Sequence, residues 1–325
     1  MKKLDVLILI ALPASGKSEV MKFLQSLPPD KLAQLNIGIP DHLDDYLYVE
    51  FMREVDEAAV KMLKMEPIFF HSLDRGFKDP YEWITLIELL NDDFDYYRSG
   101  NARSLNAKHL FHSIDMAELR AGARMKLGRL PSDVRKLLAS HVAVSAESKM
   151  QKLSKSCRRD ISGKNKTAII EFSRGADASL PLPLDPPFGY RFALSRLNPD
   201  ILKKASILYI NVSPEESRRR NAERAVPPPG CTDTTLFHGV PTEVMLRDYG
   251  RDDFMAMCDL VPGKLGSTVQ LQAHGRLNSI PAGIFNNDDD LTSFIRKNSD
   301  SNEWPQKDCD NLFARLMECT NYITH

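Results

Sequence analysis

Cysteine, charge of one sign and long apolar runs are all scarce in this 325-residue chain. The five cysteines (Cys157, Cys231, Cys258, Cys309, Cys319) form no Cys-x-x-Cys pair, which argues against a zinc knuckle and a disulfide framework. Reduced thiols and a cytoplasmic location are the expectation. Basic and acidic residues nearly cancel, 43 against 44, so a protein drawn to nucleic acid or membrane by its overall field is disfavoured. No stretch approaches the roughly 18 apolar residues of a membrane-spanning helix. Met1-Lys2-Lys3 and the apolar residues after them have the outline of a signal peptide. Asp5 interrupts that run, however, and its Val, Ile and Leu content is that of a buried strand. Internal repeats and low-complexity tails are also missing.

What is present is the composition of a globular chain, 42% hydrophobic, long enough for two domains or for one domain with a large insertion. Strand signals fall at the N-terminal run, at Leu35-Asn36-Ile37-Gly38-Ile39, at Thr167–Phe172, at Ser206–Val212 and, more weakly, at Pro281-Ala282-Gly283-Ile284-Phe285. Between the second and third, helical periodicity runs through 50–65, 80–90, 115–127 and 132–157. Alternating strands and helices predict an α/β three-layer sandwich on a mostly parallel five-stranded sheet. Its core would take residues 1–45 and 161–300, with a helical insertion at 46–160 and a helical C-terminal extension at 301–325.

Residues 11–18 read Ala-Leu-Pro-Ala-Ser-Gly-Lys-Ser, the phosphate-loop pattern with alanine in place of the first glycine. A buried strand ends, small residues turn tightly, and a helix opens at Lys17 with its positive dipole end toward the loop. Pro13, Ala14, Ser15, Gly16, Lys17 and Ser18 would cradle the phosphates of ATP. Lys17 would reach the terminal phosphates and the Ser18 hydroxyl would ligate Mg2+. Arg220 and Arg224 stand four residues apart on a helix opened by Pro214-Glu215-Glu216, placed to clamp one polyphosphate. The Val226-Pro227-Pro228-Pro229-Gly230 stretch that follows has the make-up of a lid.

On three segments the chain resembles the P-loop nucleoside and nucleotide kinases. They are the loop at 11–18, the strand and helix from Ile207 to Arg224, and Ile284-Phe285-Asn286-Asn287-Asp288-Asp289-Asp290-Leu291. The resemblance implies that Arg220 and Arg224 open a lid over ATP and that Asn287 lies near the adenine. It also implies acceptor-binding acids after the second strand, where Asp41, Asp44 and Asp45 stand. The Glu-Arg pair that follows the third strand in those kinases has its counterpart in Glu171 and Arg174, with Phe172 and Ser173 between them.

Glu171 ends an otherwise apolar strand, a position tolerated for a charge at the carboxyl edge of a sheet. It would serve Mg2+ or the acceptor, and Arg174 a phosphate. His42 reads as a surface histidine, and Asp252 and Asp253 as a surface loop. Lys149, Lys152, Lys155 and Arg159 form a basic stripe best read as a solvated helix face. The expected activity is Mg2+-dependent phosphoryl transfer from ATP to a small hydroxyl or phosphate acceptor. A nucleotide-binding switch and a polynucleotide 5′-hydroxyl kinase are the alternatives. Lys164-Asn165-Lys166 precedes a strand rather than following one, which disfavours a guanine-specific site.

Overall fold

Every residue of the first strand, β1 (Val6–Ile10), is buried, so the strand needs cover on both faces. The computed structural model describes residues 3–99, 106–156, 165–226, 239–259, 266–298 and 300–324, with the side chains of 153–156 left aside. In it β1 lies at the centre of a sheet ordered β2-β3-β1-β4-β6-β5. The strands are β2 (Ile39–Asp44), β3 (Lys166–Phe172), β4 (Ala205–Asn211), β5 (Gly266–Ala273) and β6 (Arg276–Asn286). All neighbours pair in parallel except β5 and β6. The sheet therefore has six strands where five were expected.

The extra strand is a hairpin partner. Ala273 pairs with Arg276 around a turn at His274 and Gly275, both with positive φ (50° and 73°). Along β5 inward Val269, Leu271 and Ala273 alternate with outward Gln270 and Gln272, the period-2 signal of a strand covered on one face. The second strand lies further along than its apolar residues suggested. Leu35 and Ile37 instead close α2 (Pro29–Gln34): Asn36 turns left-handed at φ 58°, and Ile37 N–H donates to the Leu32 carbonyl. Pro40 is accommodated because β2 is an edge strand.

Helices cover both faces. Leu7 and Leu9 point to α1 (Lys17–Ser26) and α13 (Gln306–Thr324). Val6, Ile8 and Ile10 point to α4 (Glu82–Ser99), α8 (Gly189–Ser195) and α9 (Pro199–Leu202). A further apolar core joins α3 (Tyr46–Leu63), α5 (Ala107–Ala121), α6 (Ser132–His141), α7 (Ala143–Ser156) and α11 (Thr242–Arg247). Helix α4 belongs to both cores: Ile84, Ile87 and Leu90 pack on the sheet, Leu86 and Leu89 on the insertion. The stretch 132–157, expected as one helix, breaks at Val142 into α6 and α7, and Leu138, Ala139, Ala146 and Met150 all reach the insertion core. Helix α10 (Pro214–Arg224) follows β4, and α12 (Phe294–Lys297) follows β6. Among the described residues no helix is long and apolar enough to cross a membrane.

Candidate active site

The turn between β1 and α1 has positive φ at Ala14 (57°) and Gly16 (106°). Gly16 is required twice over. Its φ is one that side-chain-bearing residues rarely adopt, and a Cβ there would lie 2.6 Å from Thr292 Oγ1 and 2.8 Å from Asn287 Nδ2. Ala11 needs no glycine, because its φ is not positive. Helix α1 begins with no side-chain cap, so its leading N–H groups are left for a ligand or solvent. Among the described residues Ser15 Oγ, which is buried, has no hydrogen-bond partner. An uncapped helix start and an unpartnered hydroxyl in one tight turn fit the phosphates of a nucleotide.

Lys17 is buried and donates to Ser173 Oγ at 2.6 Å and to the Ala11 carbonyl at 3.2 Å. Burial lowers its pKa, partly offset by the negative charge of Glu171. Parallel pairing sets Asp44 opposite Glu171, and His42 Nε2 lies 2.9 Å from Glu171 Oε2. His42 is thus part of the site and not a surface histidine. Its pKa is raised: burial opposes the charge, but the hydrogen bond to Glu171 and the nearby carboxylates outweigh it. For Glu171 burial is likewise outweighed, by His42, Lys17 and Arg224, and the pKa falls. Asp44 is pushed up to about 7, first by burial and then by the charge of Glu171.

These groups line one cavity of about 630 Å3, which Pro13, Ala14, Lys17, Ser18, His42, Asp44, Asp45, Glu171 and Arg224 share. The other expected site residues stand behind or beyond it. Arg174 is buried, with Nη1 paired to Asp45 at 2.7 Å and Nη2 donating to the Trp83 carbonyl at 2.7 Å, so it holds Asp45 in place. Asp41 points to the other side of β2 and pairs with Lys166 at 2.9 Å. Asn287 Nδ2 donates to the Ser15 carbonyl at 2.8 Å and its Oδ1 accepts from Leu291 N, so its side chain is a strut under the phosphate loop.

Arg220 and Arg224 part company. Arg220 donates to the carbonyls of Asn287 (2.7 Å) and Asp288 (2.9 Å) and pairs with Glu216 at 2.6 Å, outside the cavity. Arg224, one turn on, lines the cavity beside Lys17 and Glu171. Ser217 Oγ donates to the Pro13 carbonyl at 2.7 Å and ties α10 to the loop, a contact that no local sequence signal announces. Lys149 is not on a solvated face: it is buried and pairs with Glu50 (3.1 Å) and Glu54 (3.3 Å). Lys152 lines the cavity, whereas the Lys155 side chain, Arg159 and residues 227–230 of the expected lid lie outside the described residues. Asp253 is buried and caps α8, accepting from Tyr190 N at 2.5 Å, and Asp252 accepts from Tyr209 OH at 3.0 Å. They are supports, not a surface loop.

Among the described residues no cluster of three or more His, Cys, Asp or Glu side chains could hold a metal by itself. A Mg2+ ion commonly takes only one or two protein ligands and completes its shell with phosphate and water. Ser18 and Glu171, both on the cavity wall, have the oxygen chemistry for that part. No protein-family model, curated protein or solved structure matches this chain.

Proposed function

We propose that this chain is an ATP-dependent, Mg2+-dependent phosphotransferase of the P-loop nucleoside and nucleotide kinase type. One observation carries the reading: the phosphate-loop lysine, a hydroxyl fit for a metal, two arginines and four carboxylates line a single cavity. The sequence resemblance on three segments supports it, as does a helix start with no side-chain cap beneath the loop.

The turn at 13–16 and the start of α1 would hold the phosphates of ATP, with Lys17 and Arg224 as the cations facing them. Ser18 and Glu171 would hold Mg2+, which when bound would offset the charge of the phosphates. Glu171, kept ionised by His42, Lys17 and Arg224, also orients the acceptor hydroxyl. Asp44 and Asp45 would take the acceptor's polar groups, and Arg174 keeps Asp45 in place. Lys149 is occupied by Glu50 and Glu54, which weakens the case for a polynucleotide acceptor.

The test is ADP release from Mg-ATP across a panel of nucleosides, nucleoside monophosphates, sugars and oligonucleotides, with Lys17→Ala as the control. Stimulation by one acceptor class, lost in the control, is the expected result. Tight ATP binding with no stimulation across the panel would reject the phosphotransferase reading in favour of a nucleotide-binding switch.

A further inference from the structure

Lys17 is the cation that the turn from β1 into α1 offers to a phosphate, yet its ammonium is already engaged. An ammonium has three protons to donate and no lone pair. Three acceptors of the protein lie within reach: the Ala11 carbonyl at 3.2 Å, the Leu12 carbonyl at 3.5 Å and Ser173 Oγ at 2.6 Å. The two carbonyls belong to the loop that leads to Lys17. Ser173 comes 156 positions later, just past the end of β3.

The three bonds are unequal. Charge-assisted N–H to oxygen bonds run at about 2.7–2.9 Å, so the contact with Ser173 is a full one and those with the carbonyls are slack. A phosphate oxygen approaching Lys17 displaces the carbonyls first and leaves the bond to Ser173 in place. Glu171, Asp44 and Asp45 also attract the ammonium by their charge. Such a pull has little direction, whereas a hydrogen bond to one hydroxyl fixes where the remaining protons point.

Ser173 is itself held from behind. Arg174 Nη1 donates to the Ser173 carbonyl at 2.5 Å and to Asp45 Oδ2 at 2.7 Å, and Nη2 donates to the Trp83 carbonyl at 2.7 Å. Phe172, on one side of Ser173, packs into the core of the sheet. Gly175, two residues on, runs so close to its neighbours that a Cβ there would lie 2.5 Å from the Arg251 carbonyl oxygen. Between these fixed points the serine lines the cavity with Lys17 and Glu171. The spacing of Glu171 and Arg174 thereby has a physical reason: the arginine is the brace and the serine takes the forward place.

We propose that Ser173 is a positioning residue, whose hydroxyl keeps hold of the Lys17 ammonium and aims it at the terminal phosphate of a bound nucleoside triphosphate. This rests on the nucleotide-binding part of the reading above and adds to it the residue that directs the lysine.

The experiment is equilibrium titration with fluorescent analogues of ATP and ADP in the presence of Mg2+. Ser173→Ala should weaken binding of the ATP analogue by about tenfold and of the ADP analogue by less than about twofold, with a melting temperature near the parent's. Ser173→Cys keeps the size of the side chain but offers only a weak acceptor, so it should lose the ATP analogue in the same way. Ser173→Thr retains the hydroxyl and should restore the preference for the triphosphate. A substitution that merely loosened the fold would weaken both analogues alike and would not be rescued by threonine. Equal loss of both analogues, unchanged binding, or tighter binding of the ATP analogue, as when nucleotide must break a resting contact, would each overturn the proposal. Failure of the parent to bind either analogue would overturn the nucleotide reading and the role of Ser173 with it. Binding that Lys17→Ala weakens and Ser173→Ala does not would reject the role of Ser173 alone.

Discussion

His42 Nε2 and Glu171 Oε2 lie 2.9 Å apart across neighbouring parallel strands, with Asp44 two residues on from His42. Glu171→Gln keeps the shape of that carboxylate and removes its charge. Acceptor-stimulated ADP release should fall by about a hundredfold, with a melting temperature close to the parent's. His42→Gln, which retains a donor for Glu171, should keep more activity than His42→Phe, and steady-state assays of the three variants give the order.

Gly16→Ala places a methyl group against Thr292 and Asn287 at a φ of 106°. Removing the Thr292 side chain as well relieves the contact with its hydroxyl and leaves the contact with Asn287 and a backbone strain of about 1–2 kcal/mol. Nucleotide binding should therefore be lost in Gly16→Ala and only partly regained in the double variant with Thr292→Ala, as read by titration with a fluorescent ATP analogue.

Arg220 and Arg224 should separate stability from turnover. Arg220→Ala strips two carbonyls and Glu216 of a buried guanidinium and should cost about 3 kcal/mol in urea unfolding. Arg224→Lys keeps the charge and should cost less in unfolding than Arg220→Ala while lowering kcat, because a point charge replaces a fork able to span phosphoryl oxygens.

Glu118 and Glu82 share Lys126 in the insertion, and Glu118 also accepts from Lys126 N at 2.9 Å. Burial, and then the charge of Glu82, pushes Glu118 from its ordinary 4.5 up to about 8. A carboxyl raised on folding contributes stability that is complete below its unfolded value and is lost as pH rises through its folded one. Stability should thus fall between pH 4.5 and 8, and Glu118→Gln, neutral throughout, should flatten that fall. Melting temperatures of both proteins across the window give the comparison.

The turn from β1 into α1 was legible because its signal is local: small residues, a lysine and a helix start adjoin one buried strand. β1, β3 and β4 were legible for a related reason, since burial on both faces demands an unbroken apolar run. β5 lacked such a run, and its turn uses His274 and Gly275 in place of the commoner Asn-Gly. The register of β2 was hidden because Leu35 and Ile37, the most apolar residues nearby, cap a helix instead. That same register decides the role of His42, so its place in the site could not be read without the sheet. The separation of Arg220 from Arg224 depends on carbonyls at Asn287 and Asp288, far along the chain. Spacing on one helix says that two side chains share a face, not what each of them meets.

The hydrogen bond from Asn287 to the Ser15 carbonyl joins residues 272 positions apart. Its neighbours in the sheet are almost as distant, since β1 pairs with β3 and β4 and β6 joins through β4. A ribosome making this chain releases the glycine-lysine turn long before its brace. Until those segments are made, the turn has neither its flanking strands nor the asparagine beneath it. The turn thus takes its braced form only once β3, β4 and Asn287 have all emerged.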